Sequence, residues 1–386
     1  MSRRGRRVGY SPGARPGLSG SGAQPPDTGV QHGRWLFSAG IDLTVFLGSA
    51  VVALALLPIG AELGVLYGDA PDWTWVTAVL IIDVAHVWST VFRTYLDRGE
   101  LARRPWLYAL VPLIAWIIGV ALYSESKLLF WRTLAYLAVF HFIRQQYGWV
   151  ALYRARAGER DRLGRWLDTA VIYAATVFPL LYWHAHLPRE FWWFMPGDFA
   201  HLSASVLLPL AALAEPIYWS LLIAYAVRSV YLWTIRRTVN PGKDIVVATT
   251  AACWYIGIVA LNSDYAFTVT NVIIHGVPYF ALIYWYGKKR YQSGQGGLAM
   301  RVFARGPWLF LALLWILAYV EELFWHRAVW HDRAWLFGTG WNLESLQVFL
   351  VPLLALPQVS HYVLDGFIWR RRSNPDFQRA GGFDRG

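Results

Sequence analysis

The sequence predicts an all-α polytopic membrane protein with about ten transmembrane helices, and three observations support this prediction. The chain of 386 residues is 56% hydrophobic and only 15% charged, which is too apolar for a soluble domain. Apolar runs of about 20 residues, the length at which a helix crosses a bilayer, recur along the whole chain. The 23 Trp and 21 Tyr suit two membrane–water interfaces, where amphipathic rings concentrate.

Ten apolar runs are long enough to cross the membrane. They cover residues 36–58, 73–95, 105–123, 128–152, 165–184, 216–235, 243–261, 265–286, 307–325 and 345–369. The loops after the even-numbered spans are rich in Arg and Lys, whereas the alternate loops are poor in both. Because basic loops stay on the cytoplasmic side, this alternation predicts cytoplasmic N and C termini. The expected location is the bacterial inner (cell) membrane, and the spread of the basic residues over short loops argues against a nucleic-acid partner.

Three segments need a separate interpretation. Residues 1–34 are rich in Arg, Gly, Pro and Ser and predict a disordered basic tail, and residues 371–386 predict a cytoplasmic tail. The transmembrane domain covers residues 35–370. Within it, residues 185–215 contain several prolines, and the apolar run Leu202–Leu213 is too short to cross a bilayer. This stretch predicts an interfacial or re-entrant segment on the outer face.

Four of the even-numbered spans each carry one histidine well inside the apolar run. These residues are His86, His141, His275 and His361. Counted at 1.5 Å per residue, they lie about 10–20 Å above the cytoplasmic basic boundary. Four parallel helices can point four imidazoles at one centre, so we predict a metal site. Histidine and carboxylate donors favour iron over calcium or magnesium, and haem is the alternative cofactor. The single cysteine, Cys253, excludes a thiolate site.

Each histidine has a polar residue three or four positions away, and therefore on the same helix face. These neighbours are Asp83, Arg144, Gln145, Asn271, Gln358 and Asp365. Ionisable groups inside a membrane are costly and usually functional. We expect catalytic roles for Asp83, Arg144 and Asp365. Arg144 is expected either to be a counter-ion for Asp83 or Asp365 or to snorkel inward. The three amides are expected to orient the imidazoles through hydrogen bonds.

Two motifs resemble a group of bacterial multipass membrane proteins that have no assigned function. The motifs are His141-x-x-Arg144-Gln145-Gln146-Tyr147-Gly148 and His361-Tyr362-x-x-Asp365-Gly366-x-Ile368-Trp369. The resemblance implies a fold and a shared site, and no particular activity. In layout alone, single histidines on several helices are similar to those of the membrane β-carotene dioxygenases, which surround a non-haem iron.

The favoured hypothesis is a metal-dependent oxidoreductase embedded in the membrane. A site at this depth reaches lipid tails more readily than cytosolic metabolites, so the expected substrate is a hydrophobic small molecule that enters from membrane lipid. The chain shows no soluble reductase domain, which implies an external electron donor or a dioxygenase-type reaction that needs none. Two alternatives are a haem-binding electron-transfer protein and a proton-coupled transporter that uses the buried His and Asp pairs.

Overall fold

The computed structural model describes residues 33–294 and 297–383, and these residues form helices and no strand. Ten long helices, α1 to α10, follow one another along the chain. They are α1 Ala39–Glu62, α2 Asp72–Arg93, α3 Pro105–Glu125, α4 Lys127–Arg156, α5 Arg162–Ala185, α6 Ala204–Thr234, α7 Pro241–Ala260, α8 Asp264–Gln292, α9 Pro307–Trp330 and α10 Glu344–Ile368. The predicted tail over residues 1–34 lies almost wholly outside the described residues.

Among the described residues, nine of these helices are both long and apolar enough to cross a membrane. The tenth, α4, has 30 residues and is long enough. Its run His141-Phe-Ile-Arg-Gln-Gln146 contains four polar residues, which lower the mean hydropathy and would cost free energy if they faced lipid. The predicted class, an all-α polytopic membrane protein, is confirmed.

Two helices differ from their predicted spans. The run Leu202–Leu213, expected as a separate outer segment, instead opens the 31-residue helix α6, which continues through Pro209 and Pro216. Conversely, α10 is divided at Ala355 into two helical parts, Gln347–Leu354 and Leu356–Ile368. Proline in the first turn of the second part lacks the amide hydrogen that would continue the helix, which accounts for the break.

Helix α8 lies at the centre of the bundle. Of its most apolar window, 83% is buried inside the protein, compared with 17% for α3 and for α6. Helix α8 packs against α1, α2, α7 and α4, while α10 packs against α2, α3 and α4. Consequently α2, α8, α4 and α10 follow one another around a closed ring, and α3 and α6 form the periphery.

One end of the bundle is held together by buried ion pairs between helix ends. Arg93, at the end of α2, is fully buried and donates to Glu100 at 2.7 Å and to the Ile368 carbonyl at 3.1 Å. Glu100 lies in a short helix, Arg98–Arg103, and also accepts from Tyr108 of α3 at 2.8 Å. These contacts lock the ends of α2 and α10 together, and both helices carry a predicted metal ligand.

The chain beyond α10 folds back on this end. A 3₁₀ turn, Arg371–Ser373, leads into a short helix, Pro375–Gly381, whose Phe377 is fully buried. Asp376 pairs with Arg290 of α8 at 3.0 Å. The described part of the predicted C-terminal tail is therefore packed against the bundle. A further 3₁₀ helix, Leu298–Arg305, and the short helix Ala334–Phe337 complete the connections.

Candidate metal centre

Four buried imidazoles meet at one point inside the helix bundle. They belong to the four histidines predicted from the sequence: His86, His141, His275 and His361. One candidate ligand nitrogen from each residue lies within 4.8 Å of those of the other three. No side chain of this quartet is more than 4% exposed. Among the described residues this is the one group of three or more His, Cys, Asp or Glu side chains with metal-binding spacing.

The quartet repeats the ring order of its helices. The imidazole centroids of His86 and His275 are 4.7 Å apart, and those of His275 and His141 are 5.2 Å apart. His141 and His361 follow at 4.5 Å, and His361 returns to His86 at 4.9 Å. Each ring therefore contacts its neighbours from the two flanking helices. The four rings form a closed cycle in which every histidine contacts two others.

A glycine beside one ligand allows two of these helices to approach closely. A Cβ at Gly276 would lie 2.6 Å from Ile82 of α2 and 3.5 Å from the His86 Nδ1 atom. Small residues at such crossings let membrane helices pack backbone to backbone. Phe142 stacks on the His275 ring with centroids 3.5 Å apart and supports it from the other side. The two rings of α2 and α8 are thus held in place by packing.

The Nε2 atoms face the shared centre. Those of His86 and His275 are 3.1 Å apart, and those of His141 and His361 are buried without a hydrogen-bond partner. Buried polar atoms are rarely left unpaired in proteins, so orphaned nitrogens around one point call for a ligand. The His361 Nδ1 atom is engaged by Thr90, which leaves its Nε2 atom for the centre.

The spacing of these nitrogens fits a metal ion. Two imidazole ligands on opposite sides of a metal are about 4.2 Å apart, because each bond is about 2.1 Å long. The largest separation in the quartet, 4.8 Å, exceeds that value by only about 0.6 Å. Small ring movements would therefore bring all four nitrogens into bonding range. Nitrogen-only donors suit iron, copper, nickel or zinc and do not suit calcium or magnesium.

A second polar layer lies one helical turn toward the C-terminal end of each of these helices. Thr90 is 2.7 Å from the His361 Nδ1 atom and 3.0 Å from the Tyr279 hydroxyl. Tyr279 in turn donates to Asp365 at 2.6 Å, and Asp365 lies 3.7 Å from the same imidazole nitrogen. Gln145 completes the layer by donating to the backbone carbonyl of His275 at 2.8 Å. This layer orients His361 and anchors the helix that carries His275.

The opposite side of the quartet carries a partly exposed carboxylate, Asp83. Asp83 lies 3.5 Å from the His86 Nδ1 atom, as its three-residue spacing predicts. Asp83 and Asp365 therefore flank the quartet on its two sides. Two carboxylates would balance the charge of a divalent cation held by four neutral imidazoles.

Two of the predicted amides have other partners. Gln358 donates to Glu321 of α9 at 2.6 Å, so it does not orient His361 as expected. Asn271 donates to the Phe267 carbonyl and to Thr270 within its own helix and does not orient His275. Of the three amides, only Gln145 contacts a residue of the quartet through a hydrogen bond among the described contacts.

Arg144 does not pair with an aspartate, so the counter-ion expectation is wrong. It is exposed, donates to the Tyr173 hydroxyl of α5, and lies with its guanidinium carbon 4.8 Å from the centre of the Tyr147 ring. Arginine three residues after a histidine on a helix lies on a neighbouring part of the face, which here lines a cavity. Its place is the cavity wall beside the quartet.

That cavity has a volume of about 720 Å³ and lies between α4, α5, α8 and α10. His141, Asp365 and Tyr362 form the part of its wall that belongs to the centre. A smaller cavity of about 140 Å³ touches His361 from the other side, between α2 and α10. The quartet is thus buried and yet reachable from a chamber large enough for a small molecule.

No family model, curated protein or solved structure matches this chain. The resemblance based on two sequence motifs therefore stays a prediction. What the site can do chemically has to be argued from its geometry and from the side chains around it.

Sequence reasoning missed two residues that hold the centre together, Thr90 and Tyr279. Thr90 follows His86 by four positions and Tyr279 follows His275 by four, which is the spacing that already singled out Asp365. The same helical period would have identified both. They were missed because threonine and tyrosine are common in membrane helices and are uncharged, so their presence inside a span does not by itself indicate a functional site.

Proposed function

We propose that this protein is a metal-dependent oxidoreductase whose metal, iron, is held by the histidine quartet inside the membrane. The observation that carries the proposal is the convergence of four buried imidazole nitrogens within 4.8 Å on four different helices. Burying four polar rings at one point would destabilise the protein unless a ligand satisfied them. A purely structural role offers no such compensation, because the inward nitrogens of His141 and His361 have no protein partner.

Iron is proposed because, among the metals that imidazoles bind, it supports dioxygen chemistry, whereas zinc, calcium and magnesium do not change oxidation state. When bound, the metal would supply dioxygen activation at a position that faces the large cavity. The protein's own residues orient the imidazoles and exclude water. Thr90 holds His361 in one tautomer, Phe142 fixes the His275 ring, and the apolar walls of the cavity exclude water from the reacting chain.

The proposed reaction is the oxidation of an apolar chain by dioxygen. If one oxygen atom enters the product, a C–H bond becomes C–OH, the second oxygen leaves as water, and an external electron donor supplies two electrons with two protons. If both oxygen atoms enter the product, no donor is needed. The site opens to a largely apolar cavity, which favours a lipid-like substrate in either case. The proposed location is the bacterial inner membrane.

The ring packing argues against haem in the quartet. Two axial histidines leave the plane between them to the porphyrin, so no other ligand can approach the iron in that plane. In this protein the four rings contact one another around the cycle, with neighbouring centroids 4.5–5.2 Å apart, so a porphyrin would not fit between any two of them. A single metal ion fits the space that the four Nε2 atoms surround.

The test is metal content measured together with the absorption spectrum of the purified full chain. We expect about one iron per chain and no Soret band. His141→Ala should lose the metal, whereas His184→Ala should retain it, because His184 bonds to Tyr136 and the Leu180 carbonyl and lies outside the quartet.

Activity is then measured as dioxygen consumption with extracted membrane lipid, with and without a chemical reductant. Consumption should depend on iron and disappear in His141→Ala. A folded protein that binds no metal after anaerobic incubation with Fe²⁺ would overturn the metal centre. A metal-loaded protein that shows no redox change with dioxygen would overturn the oxidoreductase and leave only metal binding.

A further inference from the structure

The large cavity beside the quartet has two chemically different parts. Much of its wall is apolar or aromatic; this part includes Phe140, Ile143, Trp149, Leu152, Val177 and Leu282. Three arginines also line it: Arg144, Arg370 and Arg371. The single carboxylate in the lining, Asp365, accepts a hydrogen bond from Tyr279 at 2.6 Å. The lining therefore places guanidinium groups next to an apolar surface.

Two of these arginines differ from the buried arginines of the same protein. Arg93, Arg154 and Arg290 each form ion pairs with carboxylates. Neither Arg144 nor Arg370 forms an ion pair with a carboxylate among the described residues. Arg144 is held against two tyrosines, which position a guanidinium without neutralising its charge. Cations left unpaired in a cavity wall are suited to a bound anion.

We infer that this cavity binds a single-chain anionic amphiphile, with its carboxylate or phosphate head at Arg144 and Arg370 and its apolar chain toward His141. Guanidinium forks recognise both kinds of oxyanion. The volume of about 720 Å³ lies within the range of about 300–1,000 Å³ typical of sites for one small molecule. A diacyl lipid would need more room. The inference rests on the proposed function for its chemical consequence, since the bound chain would be the one oxidised.

The positions of the two arginines along their helices determine how the head and the chain of the amphiphile would be oriented. Arg144 follows His141 by three residues on α4, and Arg370 follows Asp365 by five at the end of α10. Both arginines thus lie beyond the quartet in the direction of the basic loops, which the charge pattern places at the cytoplasmic surface. At 1.5 Å per residue Arg370 lies about 13.5 Å beyond His361, near water, and Arg144 about 4.5 Å beyond His141, so both guanidinium groups lie on the basic-loop side of the imidazoles that the chain approaches.

Binding is measured with the full chain in neutral detergent, by native mass spectrometry or titration, using three ligands of equal chain length. These are hexadecanoic acid, hexadecyl phosphate and hexadecanol. We expect both anions to bind at least about 10-fold more tightly than the alcohol, the usual difference that a charged hydrogen bond makes. The tighter of the two anions identifies the head that the site prefers. Equal binding of the alcohol and both anions would overturn the inference.

The variants are Arg144→Gln and Arg370→Gln, with Arg132→Gln as the matched control. Arg132 lies on α4 as well, donates to the Gly197 carbonyl and does not line the cavity. We expect each cavity variant to bind the anions about 10-fold more weakly and the alcohol equally well. Anion binding that is unchanged relative to Arg132→Gln would refute the site.

The same titration on His141→Ala separates this inference from the proposed function. Arg144 and Arg370 remain in that variant while the metal is lost. Anion binding that is retained without metal supports the amphiphile site even if the oxidoreductase proposal fails. Conversely, metal content and dioxygen consumption that are normal in Arg144→Gln, with anion binding also unchanged, would sink only the amphiphile site.

Discussion

The hydrogen bond between Thr90 and His361 offers a sharp test of the metal centre, because it can be removed without touching a ligand. Thr90→Val keeps the shape of the side chain and deletes the hydroxyl that lies 2.7 Å from the His361 Nδ1 atom. Both residues are buried, and the nearest other acceptor, Asp365, lies 3.7 Å from the His361 Nδ1 atom, too far for a hydrogen bond. The imidazole is then free to adopt the wrong tautomer or to rotate.

The expected loss can be estimated from the contact itself. Removing the partner that orients a metal-bound histidine typically weakens metal affinity by about 10–100-fold. This corresponds to about 1.4–2.8 kcal/mol at 1.4 kcal/mol per factor of ten. The loss of metal affinity in Thr90→Val should be smaller than the loss in His361→Ala, because the latter deletes a ligand. Tyr279 keeps its 2.6 Å hydrogen bond to Asp365 in the variant, so the rest of the layer stays in place.

The assay is iron content after anaerobic equilibration with Fe²⁺ at a series of free concentrations set by a chelator. Thr250→Val is the matched control, since Thr250 forms a buried 3.0 Å hydrogen bond to Gln146 and lies on α7, which carries no quartet histidine. Control and wild type should bind alike. If Thr90→Val also binds like them, or if His361→Ala keeps its metal, the reasoning about this centre is wrong.

Two further predictions concern stability, measured as unfolding in detergent. Glu100→Gln should cost about 3–5 kcal/mol, because it leaves Arg93 buried without its carboxylate. Burial raises the pKa of Glu100, but Arg93 and its other neighbours outweigh burial and hold it below its ordinary value. The stabilisation is therefore complete above that ordinary value and is lost on acidification through the folded-state pKa, a loss that Glu100→Gln should not show. Gly242→Ala should cost about 1–3 kcal/mol, since its Cβ would lie 2.0 Å from the buried Tyr153 ring. In the control Gly148→Ala the added Cβ meets nothing within 4 Å, so this helix-interior change should be neutral or stabilise by up to about 1 kcal/mol.

The depth of the site was predictable from local information. Hydropathy located the ends of the spans, and the alternation of basic loops assigned their direction. Counting residues from those loops then placed the four histidines at similar heights. The structure confirms that consequence: His86, His141, His275 and His361 lie together within the bundle.

The same reasoning could not predict which faces of the helices meet inside the membrane. Hydrophobicity tells which residues avoid water, but inside a membrane every helix face is surrounded by apolar groups, so it does not say which face meets which. The predicted partner of Gln358 was wrong for this reason, since Gln358 bonds to Glu321 of α9 instead. The predicted pairing of Arg144 with an aspartate was wrong for the same reason. A small rotation of the helix decides whether this side chain faces an aspartate or lines a cavity.

Helix boundaries near prolines were also decided by packing and could not be predicted from the sequence. Pro209 and Pro216 suggested a break in the sequence, yet α6 runs through both. Helix α10, by contrast, breaks at Ala355. Proline removes one hydrogen bond in either case, and packing against neighbouring helices decides whether the chain bends or stops.

The amino-acid sequence alone therefore decides the class and predicts the direction of the spans and the height of each histidine, because these depend on apolar length, charge and rise per residue. The tertiary fold decides that four imidazoles share one centre, that Thr90 and Tyr279 support it, and that a cavity with unpaired arginines opens beside it. Those features depend on helix rotation and on close contacts such as Gly276 against Ile82, which only packing in three dimensions specifies.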